Sequence, residues 1–111
     1  NMGCCFGPML MSGGTVTIAP NLQAETLISL IAQTRPTWLM LGGPIIARLE
    51  SAIAAGSVDL SGARGVIAAG GARKLRELLG VPVHLIFGIT EGVITLTHAD
   101  DPLEAKDTTN G

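Results

Sequence analysis

The sequence is poor in aromatic and charged residues, and this excludes several classes of partner. It holds two Phe, one Trp and no Tyr, and 14% of its residues are charged. Single-stranded nucleic acids are bound by aromatic side chains on which the bases stack, and such side chains are nearly missing here. The net charge is -2, with no basic run that would attract a phosphate backbone or an anionic membrane. We therefore predict neither a nucleic-acid partner nor a membrane partner.

Cysteine is also scarce, and it is badly placed for a metal site or a disulfide framework. The two cysteines, Cys4 and Cys5, are adjacent, and no Cys-x-x-Cys pair is present. We expect two small side chains in a reducing compartment. The first residues lack the basic stretch of a signal peptide, and no apolar run reaches the ~18 residues of a membrane span. These absences predict a cytoplasmic protein, and an opening at Asn1 directly into apolar sequence is interpreted as a piece of a longer chain.

What remains is an apolar chain of the size of one domain. Its 111 residues are 47% apolar, which is enough to bury a core. Short runs of β-branched and other apolar residues predict strands at residues 15–18, 37–41, 65–69, 83–87 and 93–97. Helical spacing and end signals predict three helices, which begin after Asn21, at Pro44 and at Arg73. The polar, acidic tail from His98 onward is expected to be a loop or an edge connection.

The alternation of strands and helices is typical of βαβ units. It predicts an α/β fold with a parallel, flavodoxin-like or Rossmann-like sheet, in which residues 93–97 can form an antiparallel edge strand. Continuous apolar strands indicate a sheet that is covered on both faces. Right-handed crossovers place every loop that follows a strand at one edge, where such sheets bind ligands. Loops 42–43, 69–72 and 88–92 are therefore the candidate positions for chemistry.

Gly70, Gly71 and Ala72 form a recognisable pattern in one of these loops. Two glycines let the backbone approach a flat ligand closely, since no Cβ intervenes, and the helix that follows offers free N–H groups. The same residues also suit a tight turn with no ligand. The pattern is neither Gly-x-Gly-x-x-Gly nor a Walker loop, which argues against a nucleotide-dependent oxidoreductase and a P-loop enzyme.

Residues 87–92, Phe-Gly-Ile-Thr-Glu-Gly, combine three chemical groups at the end of a predicted strand. The ring of Phe87 can stack on a purine, the hydroxyl of Thr90 can donate to a phosphate oxygen, and Glu91 can hold Mg²⁺. A nucleotide site needs these residue types. A polar turn into an edge strand, with Glu91 merely solvated, explains the same residues.

The two loops together resemble motifs of the adenylate-forming superfamily, which holds acyl-CoA synthetases, nonribosomal adenylation domains and luciferases. Its pattern is a Gly-Gly-Ala loop followed by aromatic-Gly-x-Thr-Glu, as at residues 70–72 and 87–91 here. Residues 100–104, Asp-Asp-Pro-Leu-Glu, are similar to a segment of the aryl-acid AMP ligases of siderophore pathways, such as 2,3-dihydroxybenzoate– or salicylate–AMP ligases. The resemblance covers nearly the whole chain.

The resemblance implies a reaction and a set of residue roles. The carboxylate of an aryl acid attacks the α-phosphate of ATP with Mg²⁺ to give acyl-AMP, and the acyl group then passes to CoA or to an acyl or aryl carrier protein. Thr90 is implied to contact the α-phosphate and Glu91 to ligate Mg²⁺, as the two catalytic residues. The residues implied to border the nucleotide are Gly70, Gly71, Ala72, Phe87, Gly88 and Thr90. The candidates for the acid pocket are Asn1, Ala69 and Ile89.

The chain departs from the pattern of the family in length and content. Between residues 70–72 and Phe87 it is shorter by about seven residues, or two helical turns, which keeps the helical phase. The phosphate loop with its Lys, the ribose-binding Asp and the C-terminal domain with its catalytic Lys are not in the sequence. We therefore expect residues 1–111 to be one α/β subdomain of the large N-terminal domain of such an enzyme, inactive alone. A non-catalytic, flavodoxin-like interaction module is the alternative.

Overall fold

The fold of residues 6–111, described by a computed structural model, is built on a four-stranded sheet. The elements follow in the order α1 (Gly7–Met11), α2 (Ala24–Thr34), β1 (Trp38–Leu41), α3 (Gly43–Ala54), β2 (Gly65–Ala68), α4 (Ala72–Leu79), β3 (Val83–Gly88), β4 (Ile94–Leu96) and α5 (Leu103–Thr108). The predicted α/β class is confirmed. Asn1, Cys4 and Cys5 lie outside the described residues.

The strands lie side by side in chain order, and this fixes where their connections run. β1 pairs with β2 and β2 pairs with β3 in parallel, whereas β4 pairs antiparallel with β3. A parallel neighbour needs a crossover, and α3 and α4 lie in the two crossovers. The short connection after β3 allows only an antiparallel partner. The antiparallel edge strand that the sequence allowed is therefore present, at Ile94–Leu96.

The ends of the helices follow local signals in the sequence. α3 begins beside Pro44, whose fixed φ suits a first helical turn and whose missing N–H costs nothing there. α4 ends at Gly80, which takes the left-handed conformation (φ 67°) that closes a helix without strain. The longest helix, α3, has 12 residues. A membrane span takes about 20, so no helix in residues 6–111 can cross a bilayer.

The strand predicted at residues 15–18 is wrong. Residues 14–19 have no regular secondary structure, and Ile18 is 68% exposed. β-branched residues favour an extended chain, but a strand is stable only when its N–H and C=O groups pair with a neighbour. Within residues 6–111 no strand pairs with β1 on the side away from β2, so the extended segment has no strand partner there.

The tail is not the loop that its polar composition predicted, because part of it forms α5. Pro102 precedes this helix, Glu104 lies in its first turn and Lys106 in its last, an order of charges that suits the helix dipole. Arg76 of α4 donates hydrogen bonds of 2.8 and 3.0 Å to the carboxylate of Asp107 on α5. This ion pair holds α5 against α4.

The two faces of the sheet differ in burial. One face packs against buried side chains of α2, α3 and α4 through Leu39, Leu41, Val66, Val83 and Leu85. The opposite face bears Trp38, Met40 and Leu96, which are 36%, 40% and 47% exposed. The prediction of a sheet covered on both faces is therefore wrong for residues 6–111. The strands carry apolar side chains on both faces of the sheet, and the described helices cover only one face.

Candidate functional site

Two of the three loops predicted to carry chemistry, 69–72 and 88–92, lie next to each other, because they follow neighbouring parallel strands. Ala68 of β2 stands in register with Leu85 of β3. Gly70 and Phe87 each come two residues beyond this pair, where the strands end. Parallel sheets bind ligands at this side, which we call the carboxyl edge. The structure brings both predicted loops to the carboxyl edge.

The backbone of loop 70–72 takes a conformation that favours glycine. Gly70 has φ 141° and Gly71 has φ 68°, in the positive range that residues with a side chain rarely adopt. Gly71 then caps α4, and its carbonyl accepts a 3.0 Å hydrogen bond from the N–H of Leu75. The first N–H groups of a helix have no acceptor within the helix, so they can donate hydrogen bonds to a ligand. Ala72 is 2% exposed with its methyl in the core, which leaves only its backbone for that contact.

The chain turns sharply between β3 and β4. The N–H of Gly92 donates to the carbonyl of Ile89 at 3.1 Å, which closes a β-turn with Thr90 and Glu91 at its two central positions. Both of these residues are exposed. The ring of Phe87, at the end of β3, is 48% exposed. Turn 87–92 therefore presents a ring, a hydroxyl and a carboxylate to solvent at the carboxyl edge.

The other predicted site residues are placed as follows. Ala69 is exposed and Ile89 is 44% exposed, so both are open to a ligand at the carboxyl edge. Gly88 stands opposite Ile94 at the end of β3. Asn1 lies outside the described part of the chain. No group of three or more His, Cys, Asp or Glu side chains that could hold a metal converges within residues 6–111.

Two cavities lie away from the carboxyl edge. One of about 420 Å³ is bordered by Val83, Leu103 and Lys106, between β3 and α5. The other, of about 250 Å³, is bordered by Trp38 and His84. A ligand at the carboxyl edge would therefore rest on the exposed loops rather than enter either cavity.

Trp38 and His84 form a contact at the opposite, amino edge of the sheet, which the sequence did not predict. Their ring centroids are 5.5 Å apart. The ring of Trp38 lies over Gly65 of the strand between them, because a glycine leaves that space free. His84 is 4% exposed, and its Nδ1 lies 3.2 Å from the carbonyl of Thr97. Since a carbonyl only accepts hydrogen bonds, Nδ1 carries the proton, which indicates a structural role for His84.

Three known proteins, each much longer than this chain, are similar to it over most of its length. No protein-family model matches it. A pyochelin synthase of Pseudomonas aeruginosa is 31% identical over 110 aligned positions, covering 91% of this chain and 20% of the relative. The 2,3-dihydroxybenzoate-AMP ligase of Bacillus subtilis is 28% identical, covering 93% of this chain and 20% of the relative. A salicylyl-CoA synthase / salicylate adenylyltransferase of Streptomyces is 29% identical, covering 92% and 20%.

The resemblance to adenylate-forming ligases is confirmed. The chain spans about one fifth of the length of these ligases (20% of each). Among solved structures, the luciferase-like enzyme of the nonluminescent mealworm Zophobas morio superposes with a TM-score of 0.75 at 22% identity, over 95% of this chain and 27% of that one. At this identity the likeness shows the fold alone. The fold of residues 6–111 thus occurs within a much longer chain.

Proposed function

We propose that this chain forms part of a cytoplasmic, ATP-dependent ligase that converts an aryl acid to acyl-AMP for transfer to a thiol. The observation that carries the proposal is the position of loop 70–72 and turn 87–92 at one edge of adjacent parallel strands. The curated relatives named above are ligases and synthases for 2,3-dihydroxybenzoate, salicylate and pyochelin. They support an aryl acid as substrate and a pathway such as siderophore assembly.

Adenine would lie against both loops. No atom lies within 4 Å of where a Cβ would stand on Gly70 or Gly71, so a flat base can approach the backbone there. The half-exposed ring of Phe87 offers a surface on which the base can stack, which buries apolar area on both partners. Gly88 and the backbone of Ala72 would complete this border.

Thr90 would contact the α-phosphate directly, and Glu91 would act on it through Mg²⁺. The hydroxyl of Thr90 would donate a hydrogen bond to a phosphate oxygen as the acid carboxylate attacks phosphorus and pyrophosphate leaves. Glu91 would hold Mg²⁺ together with phosphate oxygens, since this ion is usually bound by one or two carboxylates and substrate phosphates. When bound, Mg²⁺ supplies charge neutralisation for this transfer.

The acid would lie beyond the nucleotide. Ala69 and Ile89, both exposed at the carboxyl edge, would form part of its wall, and Asn1 would contact a ring hydroxyl. Small, apolar walls suit the flat ring of an aryl acid. The thiol that receives the acyl group would be CoA or an acyl or aryl carrier protein.

A chimera tests the proposal. In the Bacillus subtilis 2,3-dihydroxybenzoate-AMP ligase, this chain replaces the segment to which it is similar, which is 20% of that enzyme. We expect the chimera to catalyse ATP–pyrophosphate exchange that depends on 2,3-dihydroxybenzoate and Mg²⁺. A folded chimera with no acid-dependent exchange would refute the proposed function.

Glu91→Gln in the chimera tests the metal role of the turn. We expect exchange to fall roughly 100-fold, the size of effect seen when one preorganised electrostatic group is removed from an active site. Glu104→Gln is the matched control, because Glu104 is also exposed but lies on α5. Exchange that is unchanged by Glu91→Gln, or lowered equally by both substitutions, would contradict the role of Glu91.

A further inference from the structure

The first turn of α4 carries charges that the helix itself disfavours. Arg73 and Lys74 lie in this turn, which contains no acidic residue, and Gly71 at the N-cap has no side chain with which to cap it. The N-terminus of a helix bears a partial positive charge, so cations there destabilise the turn. A helix of eight residues is also marginal by itself in water. Local signals therefore leave the first turn of α4 weakly held, although it adjoins loop 70–72.

The conformation of loop 70–72 depends on this turn. The N–H of Leu75 donates a 3.0 Å hydrogen bond to the carbonyl of Gly71, and this bond joins the glycine pair to the helix. No atom lies within 4 Å of a Cβ position on Gly70 or Gly71, so close packing does not confine the pair. Glycine is also the residue whose backbone has the most conformational freedom. When the first turn opens, the bond from Leu75 is lost and the loop is released.

Carboxylates from two neighbouring helices balance the two cations of the turn. Glu50 of α3 lies 3.2 Å from Nζ of Lys74, and Asp107 of α5 accepts a 3.3 Å hydrogen bond from Nε of Arg73. The pair on Lys74 is open to water, with side chains that are 46% and 78% exposed, whereas the side chain of Asp107 is 8% exposed. Exposed ion pairs contribute little, and charge-assisted hydrogen bonds to a shielded carboxylate contribute more. Asp107 is therefore the stronger of the two supports.

The carboxylate of Asp107 also bridges two turns of α4. Arg76 donates hydrogen bonds of 2.8 and 3.0 Å to the same carboxylate that Arg73 reaches. The two arginines are three residues apart, so they lie on one face of the helix. The part of α4 beyond its first turn is anchored in the core by Leu75 and Leu79. The carboxylate thus ties the weakly held first turn to the anchored part of the helix.

We propose that Asp107 is a positioning residue for loop 70–72. Its bonds to Arg73 and Arg76, which we call the Asp107 clamp, keep the first turn of α4 formed and so hold the glycine pair in the conformation that receives adenine. The inference rests on the proposed function, which places adenine against this loop. Asp107 acts through α4 and does not touch the nucleotide.

Three substitutions test the Asp107 clamp. Asp107→Asn removes the charge of the clamp. Arg73→Gln removes only the bond to the first turn and keeps the pair with Arg76, so this variant should fold even if the first does not. Glu50→Gln is the matched control, because it removes the exposed partner of Lys74 in the same turn.

Amide hydrogen exchange measures whether the first turn stays formed. The N–H of Leu75 reports the bond to Gly71, and the N–H of Val66, which donates to the carbonyl of Pro82 at 2.9 Å in the sheet, reports global unfolding. Nuclear magnetic resonance gives both rates in the isolated chain. Mass spectrometry of peptides covering residues 72–79 gives the exchange of α4 in the chimera described above.

We expect Leu75 to exchange faster than Val66 in the unsubstituted chain, because the first turn opens without global unfolding. Asp107→Asn should speed the exchange of Leu75 about 10-fold, since hydrogen bonds to a charged group are lost. Arg73→Gln should speed it about threefold, because one bond of the clamp is lost. Glu50→Gln should change it by less than about twofold, as expected for an exposed ion pair.

ATP–pyrophosphate exchange by the chimera measures the consequence for the nucleotide. We expect Asp107→Asn to raise the KM for ATP about threefold and to change kcat by less than about twofold. A loop that is in its binding conformation for a smaller fraction of the time binds with an affinity reduced by that fraction. A role confined to stability would instead lower the amount of active chimera and leave the KM for ATP unchanged.

Three results would overturn the proposal. Equal hydrogen-exchange rates for Leu75 and Val66 in the unsubstituted chain would show that the first turn never opens by itself and needs no clamp. A Leu75 rate that Asp107→Asn leaves unchanged would confine Asp107 to anchoring α5. Faster exchange of Leu75 with an unchanged KM for ATP would show that the order of this turn does not matter for the nucleotide.

The two readouts separate this inference from the proposed function. Amide hydrogen exchange does not depend on catalysis. A chimera in which α4 responds to Asp107→Asn as expected, but which has no acid-dependent pyrophosphate exchange, would refute the proposed function and support the clamp. An active chimera in which neither readout responds to Asp107→Asn would refute the clamp alone.

Discussion

At the scale of single residues, glycines are required in this chain for two different reasons. A Cβ built on Gly65 would lie 2.6 and 2.9 Å from ring carbons of Trp38, closer than such atoms can pack. At Gly70 and Gly71 the space is open, and the positive φ imposes the requirement instead. Gly65 therefore serves packing, whereas the glycine pair shapes the loop at the carboxyl edge.

We expect Gly65→Ala to lower the free energy of unfolding by about 1–3 kcal/mol, because the added methyl overpacks against Trp38. Urea unfolding followed by tryptophan emission measures this, since Trp38 is the one tryptophan in the chain. Gly62→Ala is the control, as no atom lies within 4 Å of its Cβ position. It should change stability by no more than about 0.5 kcal/mol. Equal losses for the two variants would mean that Trp38 does not lie over Gly65.

The sequence predicts the exposed groups of the carboxyl edge better than the contacts of the amino edge. Thr90 and Glu91 follow a strand and sit between glycines, so their place in a turn can be inferred from local residues. The contact between Trp38 and His84 depends on the relative register of β1, β2 and β3. Nothing local encodes that register, because parallel strands are joined by long crossovers rather than by a turn.

At the scale of elements, α5 depends on its neighbours. A helix of six residues does not persist alone in water, so tertiary contacts must hold it. The carboxylate of Asp107 receives two hydrogen bonds from Arg76 and one of 3.3 Å from Arg73. These bonds tie α5 to the helix that follows loop 70–72. The ion pair thus links the tail to the carboxyl edge through α4.

The stability contributed by Asp107 should depend on pH. Hydrogen bonds from Arg76, and then from Arg73, hold the pKa of Asp107 below its ordinary value. A carboxylate with a lowered pKa stabilises the fold above its unfolded pKa, and this stabilisation is lost as pH falls through the folded-state pKa. We expect Asp107→Asn to lower the melting temperature at pH 7, with a difference that shrinks below about pH 4 and disappears in stronger acid.

Asp100→Asn is the control for this experiment, because the side chain of Asp100 is 91% exposed. It should leave the melting temperature nearly unchanged at every pH. Hydrogen bonds from Ser61 also lower the pKa of Asp59, so any stabilisation from Asp59 is lost in the same direction of pH. The test is therefore the difference between Asp107→Asn and the unsubstituted chain at each pH. A difference that stays constant from pH 7 to pH 3 would contradict the role of the ion pair.

Elements with start and stop residues could be predicted, and those that depend on distant partners could not. Pro44 and Gly80 set the start of α3 and the end of α4 from local conformation alone. The segment 15–18 has the composition of a strand, yet a strand exists only with a neighbour. The tail has a helix signal in Pro102 followed by Glu104, but its polar, acidic composition favoured a loop. The ion pair that holds α5 joins Asp107 to Arg76, which is distant in sequence, so it could not be inferred locally.

At the scale of the whole molecule, the class of fold could be predicted because the sequence alternates strands and helices. The prediction of a sheet covered on both faces was wrong for the described residues, and the error is informative. Apolar strands predict a cover for each face of the sheet, and the described helices cover one face only. The other face, which bears Trp38 and Leu96, is left partly exposed by the described helices.

We expect the isolated chain to bind ATP more weakly than about 1 mM, which corresponds to roughly 4 kcal/mol of binding free energy. The carboxyl edge offers an exposed ring, a hydroxyl and a carboxylate, and an open surface of this kind cannot offset the entropy lost on binding. Titration calorimetry with ATP and Mg²⁺ measures the affinity. A dissociation constant in the micromolar range would mean that the chain holds a complete nucleotide site.

Photolabelling with 8-azido-ATP tests most directly whether the carboxyl edge contacts the nucleotide. In the chimera with Mg²⁺ and 2,3-dihydroxybenzoate, light joins the azido-adenine to residues that touch it, and mass mapping of peptides locates the label. We predict label in residues 70–72 or 87–92, and its loss when excess ATP is present. Label that ATP suppresses but that lies wholly outside these two loops would contradict the assignment.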